Sequence, residues 1–447
     1  MSLITRDGIE ARAQARLTAA LTPALIRHYG HVLSANGERL RVSGLHAPIG
    51  ARCLIEQDNY EVAAEIIGFE ANSLILMPEQ GTRGILRGAR VWVETTQMAV
   101  MTGTALKGRI LDAHGNPLDG GRPPEATTPW PMQGVPINPM ERARLATPFD
   151  VGVTAINALT TLGRGMRVGL FAGSGVGKTT LLGMIARHAQ ADVVVLAMIG
   201  ERGREIREFI EEHLGAASAR TIVVASPADD TALARAHGAY RAASIAEAFR
   251  AQGKHVLLLV DSLTRLAMAL REIGLAAGEP PATKGYPPSV FASLSAYAER
   301  AGNGREGQGS ITGIYTVLVE GDDHIGDPVA DTARAILDGH IVLSRAMVEA
   351  AIYPPIDIVG SLSRPMPSLV SPEHMQLANR FRALWARRRE KQDIIDLGAY
   401  APGRDALLDE ALQRQPAMEA FLRQDTTTEV TLADAVTRLR AIFGDAP

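Results

Sequence analysis

Apolar positions along the chain change their period twice, and each change predicts a different kind of element. From Gly30 to Glu94 the runs are short and β-like: HVLSANGERLRVSG, ARCLIEQDNYEVAAEIIGF, NSLILM and ARVWVE. Glycine and asparagine interrupt them about every 8 to 12 residues, the spacing of a small antiparallel barrel or sandwich. From Val168 to Arg345 the runs RVGLFAG, DVVVLAMIG, TIVVAS, HVLLLVDS, GSITGIYTVLVEG and GHIVLS alternate with helical patterns. They are continuously apolar rather than alternating, which predicts strands covered on both faces in a mainly parallel α/β sheet. After about Ser371 the chain reads as charged helices, as in HMQLANRFRALWARRREKQDIIDLG. Ahead of everything, Ile9, Ala13, Leu17, Leu21 and Leu25 recur four apart with Arg6, Arg12 and Arg16 between them. That is one helix face, either lying on its own protein or serving as a partner-binding arm. The expected division is a helical arm over 1–29, a β-barrel over 30–96, an α/β domain over 97–370 and a helical domain over 371–447. Asp112 to Pro139, rich in Pro, Gly and Thr, reads as connecting loop.

A chain of 447 residues, 46% of them hydrophobic, can hold two or three domains at roughly 150 residues each. The 46 basic and 49 acidic residues leave a net charge of -3, which gives no global case for a nucleic-acid or anionic-membrane partner. Cys53 is the single cysteine, so no disulfide forms within the chain. The first residues, MSLITRDGIEARAQARL, lack the apolar core of a secretory signal, and no run of about 18 apolar residues occurs. These features predict a cytoplasmic protein whose contact with a membrane is peripheral.

Ala172-Gly173-Ser174-Gly175-Val176-Gly177-Lys178-Thr179, continued by Thr180, follows a strand and precedes the helical run TLLGMIARHA. That is the setting of a phosphate loop. Small residues let consecutive amides turn onto phosphate oxygens at a helix N-terminus. Lys178 can reach the β- and γ-phosphates of ATP, and Thr179 can offer a hydroxyl to Mg²⁺. The first position is Ala172 rather than glycine, which fits if its φ is negative. Val256-Leu257-Leu258-Leu259-Val260-Asp261 is a buried strand ending in a carboxylate, where a phosphate-loop site needs an acid for its metal. Glu201 follows the strand ending at Ile199 and can face the γ-phosphate, or it can pair with Arg202 or Arg204.

The set GSGVGKT, IGERGREIREFI, LLLVDSLTRLA, GEPPATKGYPPSVF, VLVEGDDHIGDPVAD, ILDGHIVLSR and AIYPPIDI resembles the rotary-type ATPases related to the ATP synthase β subunit. Within them it is most similar to the flagellar protein-export ATPases, with the virulence type III secretion ATPases next. The resemblance runs from about Gly30 to Leu439. It implies a P-loop ATPase core of RecA/F1 type that hydrolyses ATP with Mg²⁺. Glu201 then stands where the family has its catalytic carboxylate, Arg202 where it has a partner of that glutamate, and Arg265 where it has a phosphate-side arginine. Tyr353 matches the aromatic residue that packs on adenine. Arg364 matches an arginine finger that reaches a neighbouring subunit's γ-phosphate, although Pro365-Met366-Pro367 follows it in place of the family's small residues. The resemblance further implies a homohexamer. Its implied partners are a stator-like regulator, a stalk protein, an export gate and chaperone–substrate complexes. An ATP synthase β subunit is disfavoured because GERGRE replaces that subunit's GERTRE. An RNA or DNA translocase of the terminator type would want an aromatic, basic barrel, yet aromatics make up 4% of the chain and the barrel segment offers Tyr60, Phe69 and Trp92. A subunit that binds nucleotide without hydrolysing it would lack the acid that Glu201 supplies.

Overall fold

Alternating positions in the first β region close into a barrel. The structure is a computed structural model and describes residues 28–58, 60–95, 98–319 and 326–444. Apart from His28 and Tyr29, the expected N-terminal arm lies outside the described residues. Six strands, β1 (Gly30–Asn36), β2 (Arg39–Ser43), β3 (Arg52–Glu56), β4 (Glu61–Glu70), β5 (Ser73–Pro78) and β6 (Arg90–Thr95), pair in the closed order β1-β2-β5-β4-β3-β6. Every pairing is antiparallel. Side chains of β2, β3 and β4 alternate in and out, filling the interior with Leu40, Val42, Cys53, Ile55, Ala64 and Ile66. Strand β5 is the exception, because all six of its residues are buried. Its outward Met77 packs on Ala232, Leu233 and Ala269 of the α/β domain. The His237 Nε2 to Glu65 Oε2 contact of 2.7 Å reinforces that junction.

The large sheet follows from the continuous apolar runs. Its strands are β7 (Ile110–Leu111), β8 (Arg167–Ala172), β9 (Val193–Ile199), β10 (Thr221–Ser226), β11 (His255–Asp261), β12 (Ser310–Leu318), β13 (Gly339–Leu343) and β14 (Ile356–Ser363), in the order β14-β13-β8-β12-β11-β9-β10-β7. All neighbours on this path are parallel except β13 and β14. A short strand, Gly302–Asn303, pairs antiparallel with β12 to make nine. Helices such as Lys178–His188 and Ala232–Ala251 cover the two faces and split the core into two clusters. Parallel strands with helical crossovers bring their C-terminal ends to one edge, where ligands bind in open α/β sheets.

The Pro- and Gly-rich stretch is more structured than its composition predicts. Within it Thr128–Pro131 pairs with Ala99–Thr102, and just ahead of it Ile110–Leu111 adds β7 to the sheet. Trp130 Nε1 donates to Glu247 Oε2 at 2.8 Å, and Arg300 holds the same buried carboxylate. These partners are far apart in sequence, so local composition carries no trace of them. Beyond the sheet, helices Pro372–Glu390, Ala406–Leu422 and Leu432–Phe443 pack through Phe381, Trp385 and Phe421. The basic run Arg387-Arg388-Arg389 is largely absorbed internally: Arg387 pairs with Asp405, and Arg389 with Asp357.

At the opposite edge of the sheet, His255 begins β11 with Nδ1 2.6 Å from Ser310 Oγ and its ring edge-on to Phe149. Burial, helped by Arg164, pushes this imidazole down to about 4 from an ordinary 6.5. The unfolded chain therefore takes up a proton near pH 6.5 while the folded imidazole does not until about 4. The stabilisation is complete above that window and is lost as pH falls through it. In His255→Gln the denaturant midpoint should vary less with pH across the window than in the native chain. The difference is on the order of 1 to 3 kcal/mol, read from urea unfolding at matched pH values.

Candidate active site

The phosphate loop joins β8 to the helix Lys178–His188, which begins two residues earlier than its apolar pattern predicts. Ala172 closes the strand, fully buried and without a positive φ, so it needs no glycine there. Left-handed backbone falls instead at Gly175, with φ of 74°, and at Gly177, with φ of 92°. A Cβ would be strained at both. Gly177 caps the helix without a side-chain bond, so the amides of its first turn are left to an outside acceptor.

Two acids meet the lysine of this loop. Lys178 Nζ donates to Asp261 Oδ1 at 2.6 Å and to Glu201 Oε1 at 3.3 Å. Asp261 is the last residue of β11, directly opposite Met198 of the neighbouring β9. Glu201 follows three residues after Met198, so adjacent parallel strands deliver both acids to one place. Ser262, whose hydroxyl accepts from Arg265 N at 3.2 Å, caps the next helix, Leu263–Ala277. Asp261 is thus spared a capping role, and its carboxylate faces Lys178. Burial raises the Glu201 pKa, the charge of Asp261 raises it further, and Lys178 opposes both. Burial also pulls on the Lys178 ammonium, but the charges of Asp261 and Glu201 outweigh it and hold its pKa above normal.

A cleft of ≈ 820 Å³ opens over Lys178 and Glu201, with Asp261 buried behind its lining. Gly173, Ser174, Gly175, Gly177, Lys178, Thr179 and Thr180 line one side, and Glu201, Arg202 and Arg265 the other. Ala172 and Val176 are buried behind the loop. Arg265 Nε is buried with no hydrogen-bond partner in the protein. A guanidinium with an open donor beside a phosphate loop fits an anion. Sequence reading missed Glu205, Thr264, Met268, Tyr286 and Asp327, which also line the cleft. Tyr286 and Asp327 lie in the quoted GEPPATKGYPPSVF and VLVEGDDHIGDPVAD stretches, and that was the one signal available for them.

Three residues stand apart from their expected places. Arg202 was expected beside Glu201. Its guanidinium instead pairs with Glu205 at 3.6 Å and is mostly exposed, because Lys178 already occupies Glu201. Tyr353 is 47% exposed and does not line the cleft. It follows the fold to the loop only through Pro355, whose ring lies 3.7 Å from where a Gly177 Cβ would be. Arg364 follows β14, the antiparallel strand, which returns the chain to the opposite edge of the sheet. Its amide donates to Asp338 O beside the start of β8, and its guanidinium bonds Leu337 O and Arg334 O. With about 3.3 Å per residue, the length of β8 puts roughly 17 Å between Arg364 and the loop of its own chain.

Residues 152–363 match the ATP synthase alpha/beta family, nucleotide-binding domain, and residues 370–441 match the T3SS EscN ATPase C-terminal domain. The flagellum-specific ATP synthase of Salmonella typhimurium (strain LT2) is 50% identical over 453 residues, covering 99% of this chain and 98% of that one. The chain belongs to the ATP synthase alpha/beta family, among its type III export ATPases. Two solved structures of EscN, from the type III secretion system of enteropathogenic E. coli, agree with the fold of this export ATPase. The assembled ATPase matches with a TM-score of 0.88, and its complex with the central stalk EscO with 0.85. Each is 38% identical and covers 93% of this chain and 100% of that one. The protein is therefore an ATP-hydrolysing enzyme. Glu201→Gln should still bind ATP, while its turnover falls by at least about 10²-fold, as for other positioned acid–base groups. Phosphate release and nucleotide binding, measured on the same preparation, check this; normal turnover would remove Glu201 from the chemistry.

Proposed function

We propose that this export ATPase hydrolyses ATP to ADP and phosphate as a ring of six copies, energising or priming flagellar type III protein export. The observation that carries the hydrolytic part is Lys178 set between Asp261 and Glu201 under an open phosphate loop. When nucleotide enters, the loop amides and the Lys178 ammonium take its phosphates, and Glu201 is released to face the attacking water. The water oxygen bonds to the γ-phosphorus while the bond to the ADP oxygen breaks, and the water's proton passes to Glu201. A pKa raised by burial and by Asp261 suits that acceptance. Arg265 lies on the phosphate side, and Tyr353 would meet adenine once the base extends past Pro355. Thr179 and Asp261 would hold Mg²⁺. One hydroxyl and one carboxylate suit an ion that keeps waters and takes its remaining ligands from phosphates. The bound ion supplies neutralisation of phosphate charge.

Arg364 cannot serve its own chain's loop from the far edge of the sheet, so its role is to complete the site of a neighbouring copy. A head-to-tail contact of this kind repeats until a ring closes. An arginine finger contributes on the order of 10³ to 10⁵ in rate, so assembly would act as the switch. Identity of 50% to the flagellar relative of Salmonella typhimurium against 44% to the type 3 secretion system ATPase of Xanthomonas euvesicatoria favours the flagellar system over the virulence one. By analogy with EscN, which is solved with a central stalk, we expect a stalk partner at the ring axis. A stator-like regulator, an export gate and chaperone–substrate complexes complete the expected set. An export gate as partner would place the ring peripherally at the inner face of the cytoplasmic membrane; among the described residues no helix is long and apolar enough to cross a membrane.

Two outcomes test this reading. Arg364→Ala and Lys178→Ala should each be nearly inactive alone. Mixed together they should regain measurable ATPase activity, because some sites then combine an intact loop with an intact arginine; no rescue at any ratio would end the shared-site reading. Deleting the gene should abolish filament assembly and secretion of hook proteins, while an effect confined to injected virulence proteins would reassign the system.

A further inference from the structure

Strand β12 runs between the strand that ends in the phosphate loop and the strand that ends in Asp261, and it is buried from Ser310 through Val317. An interior position of such a strand is ordinarily filled by valine or isoleucine. Position 316 is threonine, nearly the shape of valine but carrying one hydroxyl. Thr316 is fully buried, so its proton needs an acceptor within the protein. That acceptor is Asp261: Thr316 Oγ1 lies 2.6 Å from Asp261 Oδ1 and 3.4 Å from Val260 O. The register fixes the meeting, because Val260 pairs with Tyr315 on one side and Leu170 with Thr316 on the other.

We propose that Thr316 is a positioning residue that holds the Asp261 carboxylate in the orientation the metal–nucleotide complex requires. The inference rests on the assignment of Asp261 to the metal side of the site and deepens it. Lys178 and Thr316 both donate to the same oxygen, Oδ1, at 2.6 Å. Lys178 hangs on a flexible stem and leaves for the phosphates when nucleotide binds. Thr316 is anchored by a central strand and stays. Its hydroxyl keeps Oδ1 engaged and so limits rotation of the carboxylate. A hydroxyl that is merely satisfied in the core would give the same distance but would leave the metal dependence of nucleotide binding untouched.

The test uses the full chain and an N-methylanthraniloyl ATP, titrated with Mg²⁺ and, separately, with a chelator in its place. Thr316→Val should bind the probe like the native chain without Mg²⁺ and lose roughly tenfold or more of the affinity that Mg²⁺ adds, the usual loss when an outer partner of a ligand is removed. The Mg²⁺ concentration for half-maximal hydrolysis should rise with it, and Thr316→Ser should restore the gain. Thr316→Ala, read the same way, guards against a valine variant that fails to fold. The proposal is overturned if Thr316→Val keeps the full Mg²⁺ gain, if affinity falls equally with and without the ion, or if serine is as poor as valine. If the native chain itself gains nothing from Mg²⁺, the metal role of Asp261 fails first, and the role of Thr316 goes with it.

Discussion

One ammonium between two buried carboxylates organises the catalytic edge of this protein. Lys178, Asp261 and Glu201 come from three separate segments, and Asp261 is buried while the other two are largely shielded from water. Taking an ion out of water costs several kcal/mol unless a counter-charge and hydrogen bonds replace the lost hydration. Burial, and after it the charge of Asp261, raise the pKa of Glu201 against the pull of Lys178. The ammonium lies in reach of both acids on the floor of the cleft that the loop lines. The packing around it is tight: a Cβ at Gly200 would come within 2.9 Å of Arg265 Cβ, so the glycine lets Glu201 and Arg265 share one wall.

Strand direction decides where everything else can act. Seven of the eight strands on the main path of the sheet run the same way, which collects the loop, Asp261 and the segment leading to Glu201 at one edge. The eighth, β14, reverses, and that single reversal carries Arg364 to the other edge. Arg364 is thereby kept away from the phosphate loop of its own chain, which is why the proposed ring gives it a neighbour's site to complete. The barrel is fastened to the same body by the doubly buried β5 and the His237–Glu65 contact. Met77 of β5 packs there on Ala269 of the helix Leu263–Ala277, which begins beside Asp261.

Much of this was readable from the chain because it depends on neighbours in sequence. The barrel shows in the two-residue alternation of β2 to β4, the parallel sheet in the unbroken apolar runs, and the phosphate loop in eight contiguous residues. The position of Asp261 follows from a strand that simply ends there. Even the alanine at the head of the loop is explained locally, since the left-handed turns fall on Gly175 and Gly177.

The remainder was settled by contacts between segments far apart in sequence. Arg202 and Arg204 are the partners for Glu201 that its neighbours in sequence suggest, whereas the lysine that meets it comes from a loop 23 residues earlier, brought there by the order of the strands. The pairing of Ala99–Thr102 with Thr128–Pro131 was hidden by a loop-like composition. Thr316 looked like one more residue of an apolar strand until β12 was seen to pass between β8 and β11. Periodicity and local motifs report the conformation of a segment and the chemistry it carries. Which charges neutralise one another, and which residues the fold keeps apart, is set by the order and direction of strands, and no short window of residues encodes that.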